Sequence, residues 1–131
     1  MPLVSSLDTN ILMRYIWNDV PLQCDKVRKL LADGSQTFHI SDMVVAEVVH
    51  NLQSWKIRRS SIAGVVRDIF AIPSVLPNKY ITETVLPFYE SHPALSFVDC
   101  YAAFEVEKAQ AEPLYTFDRK LVAQHASAKL L

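Results

Sequence analysis

Short runs of strand character alternate with helix-spaced apolar stripes along the whole chain, and this alternation constrains the fold more than any other feature. Leu3 to Leu7 reads as a first strand ending at Asp8-Thr9-Asn10, after which Ile11, Leu12, Tyr15 and Ile16 take up helical spacing. Val27, Leu30 and Leu31 mark a helix that stops at Gly34, and Thr37 to Ile40 is a second strand. The stripe Val45, Val48, Val49 and Leu52 predicts a helix over Asp42 to Trp55, followed by another from Ser60 or Ser61 to Phe70. Pro73 and Pro77 bracket a short strand, Ser74 to Leu76. Thr82 to Tyr89 and Phe97 to Ala109 read as helices, Leu114 to Phe117 as a strand and Arg119 to Ala126 as the last helix. Such alternation predicts βαβ units, hence an α/β protein with a mostly parallel central sheet and helices on both faces. At 131 residues, half of them hydrophobic, the chain is expected to form a single domain over residues 1–131.

Several function classes are excluded. The two glycines, Gly34 and Gly64, cannot supply a dinucleotide fingerprint, a phosphate-binding P-loop or a nucleophile elbow. Cys24 and Cys100 lie 76 positions apart, and none of the four histidines falls at H-x-x-x-H spacing, so paired-ligand zinc sites and dithiol redox motifs are absent. No basic leader with an apolar core opens the chain and no apolar run approaches ~18 residues, so a cytoplasmic protein without a membrane span is expected. A net charge of -1 gives no global attraction to nucleic acid, so any such partner must use a local patch.

The acids carry the chemistry. In a βαβ unit, strand C-termini and helix N-termini share one edge of the sheet, where open α/β sheets bind their ligands. Asp8 and Asp118 each close a predicted strand, Asp99 sits in the first turn of a helix, and Glu47 lies within two turns of another helix start. Each also has a plainer reading. Asp8 and Asp118 are well placed as helix N-caps, Ser96-Phe97-Val98-Asp99 fits a capping box, and Glu47 points away from the apolar stripe of its helix. If the four converge, their mutual repulsion at neutral pH calls for a hard divalent cation with oxygen ligands, Mg²⁺ or Mn²⁺.

Four segments together carry a family resemblance: Leu7-Asp8-Thr9-Asn10-Ile11-Leu12, Ala46-Glu47-Val48, Phe97-Val98-Asp99-Cys100-Tyr101-Ala102-Ala103 and Tyr115-Thr116-Phe117-Asp118-Arg119-Lys120-Leu121. In this order and at these intervals the chain resembles the PIN-domain nucleases, and among them the small VapC-like toxins of type II toxin-antitoxin pairs. The resemblance implies a three-layer α/β/α sandwich and makes Asp8, Glu47, Asp99 and Asp118 the acidic metal cluster. Asn10 and Thr116 fall where the family places polar residues that orient the cluster or its water. The chain ends soon after its last helix, which leaves a final edge strand short.

The resemblance further implies a Mg²⁺- or Mn²⁺-dependent endoribonuclease that cuts single-stranded or loop RNA to a 5′-phosphate and a 3′-hydroxyl. It also implies a homodimer or higher homo-oligomer, neutralised by a small cognate antitoxin. Without the four cluster acids, 13 bases face 10 acids. Candidate phosphate contacts are Lys56, Arg58, Arg59 and Arg67, beside Trp55, with Arg14 and Arg119 near the cluster in sequence. A receiver or haloacid-dehalogenase-like phosphatase is disfavoured. Ser6 and Leu7, not acids, precede Asp8, and Asn10 stands where the phosphatase pattern wants an acid. The remaining alternative is a non-catalytic PIN-like module that binds RNA or protein.

Overall fold

The computed structural model describes residues 3–131, and the chain divides into two compact units, the first ending at Lys79 and the second covering Tyr80–Leu131. In the first, β1 (Leu3–Ser6) pairs in parallel with β2 (Gln36–His39), in register from Leu3 opposite Gln36 to Ser6 opposite His39. Two helices, α1 (Thr9–Ile16) and α2 (Pro21–Ala32), make the crossover between these strands. Pro21 opens α2, where its missing N–H would have had no helical partner. Ser41 caps α3 (Asp42–Ser54), its Oγ accepting from the Val44 N–H at 3.2 Å, and α4 (Arg59–Ala71) follows.

The predicted stripe Val45, Val48, Val49 and Leu52 is buried, together with Ile62, Ala63, Val66 and Ile69 of α4 and Leu12 and Met13 of α1. The strand expected over Ser74 to Leu76 is reduced to one bridge, Val75 beside Phe38. Two hydrogen bonds hold it, from Phe38 N–H to the Ser74 carbonyl and from Leu76 N–H to the Phe38 carbonyl, both 2.8 Å. Pro73 and Pro77 have no N–H to donate, so a ladder cannot extend on either side.

Between α2 and β2 the chain turns at Asp33, whose Oδ1 accepts from the Ser35 N–H at 3.0 Å. That bond, with a second from the Ser35 side chain, lowers the Asp33 pKa below its ordinary value. A depressed carboxylate stabilises the fold above its unfolded pKa and loses that contribution as pH falls through the folded value. Asp33→Ala is therefore expected to lower the urea midpoint at neutral pH and to converge on wild type in acid; a pH-independent difference refutes this.

The second unit begins with a π-helical turn, Tyr80–Val85, continued by α5 (Leu86–Ser91). The sequence predicts a plain helix over Thr82 to Tyr89; the widened turn lies just ahead of Pro87, whose ring nitrogen cannot donate to the carbonyl four residues back. α6 (Phe97–Lys108) and β3 (Leu114–Thr116) follow, then α7 (Arg119–Gln124) and β4 (Ala128–Leu130). β4 pairs in parallel with β3, Leu114 opposite Ala128 and Thr116 opposite Leu130, so the short final strand does form. The chain is thus α/β with parallel strand pairs, one pair in each unit among the described residues.

α7 stops two residues earlier than its apolar pattern suggests, because His125 turns extended and its Nδ1 accepts from the Ser127 N–H at 3.1 Å. Ser127 is 1% exposed, and its hydroxyl lies 2.5 Å from Glu107 Oε1 and 3.0 Å from Glu112 Oε2. Both glutamates are exposed, so water can replace the hydroxyl at their outer lone pairs. Ser127→Ala is accordingly expected to cost about 1 kcal/mol in chemical denaturation, the lower end for a lost hydrogen bond. A loss above ~3 kcal/mol would mean that the network carries the register of β4.

Candidate functional site

Asp8 and Glu47 belong to the first unit. Asp8 is the N-cap of α1: its backbone is extended and Oδ1 accepts from the Ile11 N–H at 3.0 Å, while its other oxygen has no partner among the described residues. Glu47 sits in the second turn of α3 and accepts through Oε2 from the Thr9 hydroxyl at 2.9 Å. Thr9 is buried, so a fixed donor at the start of α1 holds an exposed carboxylate on α3. This contact was not anticipated from the sequence. Its one signal is a threonine in a helix's first turn directly after an N-cap acid. Asn10, by contrast, is exposed and makes no side-chain hydrogen bond among the described residues.

Asp99 and Asp118 belong to the second unit. Ser96 caps α6, its Oγ accepting from the Asp99 N–H at 3.1 Å. The reciprocal bond that would complete a capping box is not made: among the described residues the partly buried Asp99 carboxylate has no hydrogen bond or ion pair. Asp118 caps α7, Oδ1 accepting from the N–H groups of Lys120 at 2.9 Å and Leu121 at 3.4 Å. Thr116 Oγ1 accepts from the Asp118 N–H at 3.0 Å and so fixes where that acid leaves β3.

The structure therefore confirms the capping reading for Asp8 and Asp118, but each cap occupies one carboxylate oxygen and not the other. Among the described residues no group of three or more histidine, cysteine or acidic side chains is assembled for a metal ion. The four acids fall two to each unit. Their donor chemistry suits a hard cation: all are carboxylates, and among the described residues Asp8, Asp99, Asp118 and Glu47 each retain an uncommitted oxygen.

Of the basic residues, Lys56, Arg58 and Arg119 are exposed and unpaired among the described residues. Arg14 is engaged by Gln23 at 2.6 Å and Asp19 at 3.5 Å, and Arg59 and Arg67 also have partners. A profile of the PIN domain matches residues 6–126, from just before Asp8 to just beyond α7. The chain belongs to the PIN domain family. PIN domains are generally nucleases and usually use divalent metal ions such as Mg²⁺. No curated protein sequence matches the chain. Among the described residues of this PIN domain, no helix is long and apolar enough to cross a membrane.

Proposed function

We propose that this PIN domain is a Mg²⁺- or Mn²⁺-dependent endoribonuclease and the toxin of a toxin-antitoxin pair, with Asp8, Glu47, Asp99 and Asp118 as its metal ligands. The observation that carries the reading is the free, partly buried carboxylate of Asp99 in a chain of this family. A partly buried carboxylate held at a helix start with no protein donor among the described residues has its oxygens available to a hard cation. When bound, the cation supplies Lewis acidity and a water of lowered pKa for attack on phosphorus.

The chain's own residues do the rest. Thr9 holds Glu47, Thr116 holds Asp118, and both N-cap acids are fixed by backbone donors, so three of the four carboxylates are set before any ligand arrives. Lys56, Arg58 and Arg119 offer charge to RNA phosphates. The family profile spans both units, which supports treating residues 1–131 as one nuclease domain. We assign it to the cytoplasm, with a homodimer or higher homo-oligomer as the working assembly. Its cognate antitoxin is expected to place a basic side chain among the acids.

Purified protein incubated with total RNA tests the reading. Cuts that appear with Mg²⁺, vanish with chelator and leave a 5′-phosphate and a 3′-hydroxyl support it. RNA bound but never cut favours the non-catalytic module, for which the lack of three assembled ligands among the described residues is the specific support.

A further inference from the structure

α1 and α3 run side by side in the same direction, because both follow strands that are parallel to each other. Their N-terminal ends meet through Thr9 and Glu47, and just past their C-terminal ends Trp17 and Trp55 meet, ring centroids 5.0 Å apart and planes tilted by 42°. The helix pair thus has an acid end and a tryptophan end, separated by about 12 to 14 Å at 1.5 Å per residue.

Both tryptophans stay open, Trp17 at 44% and Trp55 at 50% exposure, although burying such rings is among the largest apolar gains open to a chain. On the Trp55 side the charge is one-sided: no acid occurs between Glu47 and Asp68, a stretch that contains Lys56, Arg58, Arg59 and Arg67, and on the Trp17 side the nearby acid, Asp19, is paired with Arg14 at 3.5 Å. Lys56 follows Trp55 directly, in a left-handed conformation at φ 59° that ends α3, and Arg58 precedes α4 without a side-chain capping bond. Both are exposed and unpaired among the described residues.

We infer that Trp17 and Trp55 form a stacking platform for unpaired RNA bases, with Lys56 and Arg58 holding the flanking phosphates, on the strand leading to the acid end. Aromatic faces beside unpaired cations are the chemistry that binds single strands irrespective of sequence. A protein partner would equally welcome two tryptophans, but would leave the unpaired cations in need of acids. The inference rests on the nuclease reading only for where the strand leads; the binding itself requires no metal.

Trp17 and Trp55 are the chain's two tryptophans, so its intrinsic tryptophan fluorescence reports on this platform alone. The experiment titrates the full chain in EDTA with a short oligouridylate and, separately, with duplex RNA. The single strand is expected to quench the emission and the duplex to leave it unchanged. With labelled oligouridylate read by anisotropy, Trp55→Ala should weaken binding about 5- to 150-fold, the range for loss of one stacked base, and Trp55→Phe should restore most of it. Arg58→Gln should lower the salt slope by about 0.7. Unmoved emission, or unchanged affinity in both Trp55→Ala and Arg58→Gln, overturns the inference. So does an emission that shifts with protein concentration in the absence of RNA, which identifies an interface between copies. If oligouridylate quenches but Mg²⁺ brings no cutting, the platform stands and the nuclease reading fails; cutting with unmoved emission is the reverse.

Discussion

Asp99→Asn is expected to reduce Mg²⁺-dependent RNA cleavage on the order of a thousandfold or more while leaving the fold in place. The magnitude follows from chemistry: a bound cation contributes several kcal/mol of transition-state stabilisation, and each ~1.36 kcal/mol is a factor of ten. That the fold survives follows from geometry. Ser96, not Asp99, caps α6, and the Asp99 carboxylate accepts no bond that the fold would lose among the described residues. What remains is its interaction with the helix dipole, typically about 0.3 to 1 kcal/mol. Mg²⁺ at a hundredfold excess over its Kd should stabilise wild type by about 2.7 kcal/mol and the variant by less. Calorimetry with Mg²⁺ or EDTA, run beside a cleavage assay, decides. Intact cleavage removes Asp99 from the metal site, and a collapsed melting temperature returns it to a structural role.

The same geometry explains what could and could not be read from the sequence. Helix periodicity located α3 and its buried stripe because Val45, Val48, Val49 and Leu52 have one face to occupy. Capping chemistry located Asp8, Ser96 and Asp118, since a helix start needs acceptors for its free N–H groups. Long-range contacts left no such trace. The position of Thr9 after an N-cap acid does not say that its hydroxyl reaches Glu47, 38 positions on, and nothing local to Trp17 says that it meets Trp55. Both pairings follow once the parallel register of β1 and β2 aligns the helices behind them. Local exceptions were also hidden: Pro73 and Pro77 bracketed a short strand over Ser74 to Leu76 and Pro87 sat inside an apolar pattern, but only the backbone shows a lone bridge and a π turn there.

Phe38→Ala is expected to be the most damaging core substitution in the first unit, at about 3 to 5 kcal/mol, against a total stability of about 5 to 15 kcal/mol for a typical domain. Phe38 is 1% exposed and lies at the meeting point of three segments. Its strand pairs with β1 at Ser5, while its N–H and carbonyl hold Ser74 and Leu76. Removing the ring leaves a cavity that these hydrogen-bonded backbones cannot close, since to collapse inward they would have to break their own ladder. Because the register of β1 and β2 aligns α1 with α3, the loss should reach function as well, loosening the Thr9 to Glu47 bond and the tryptophan pair. Phe38→Leu keeps most of the volume and should cost less than half as much. Urea denaturation of both variants, monitored by tryptophan emission, tests the argument: a loss below ~1.5 kcal/mol for Phe38→Ala would show that the segments around β2 relax freely, and that the helix pair is aligned by something other than this strand.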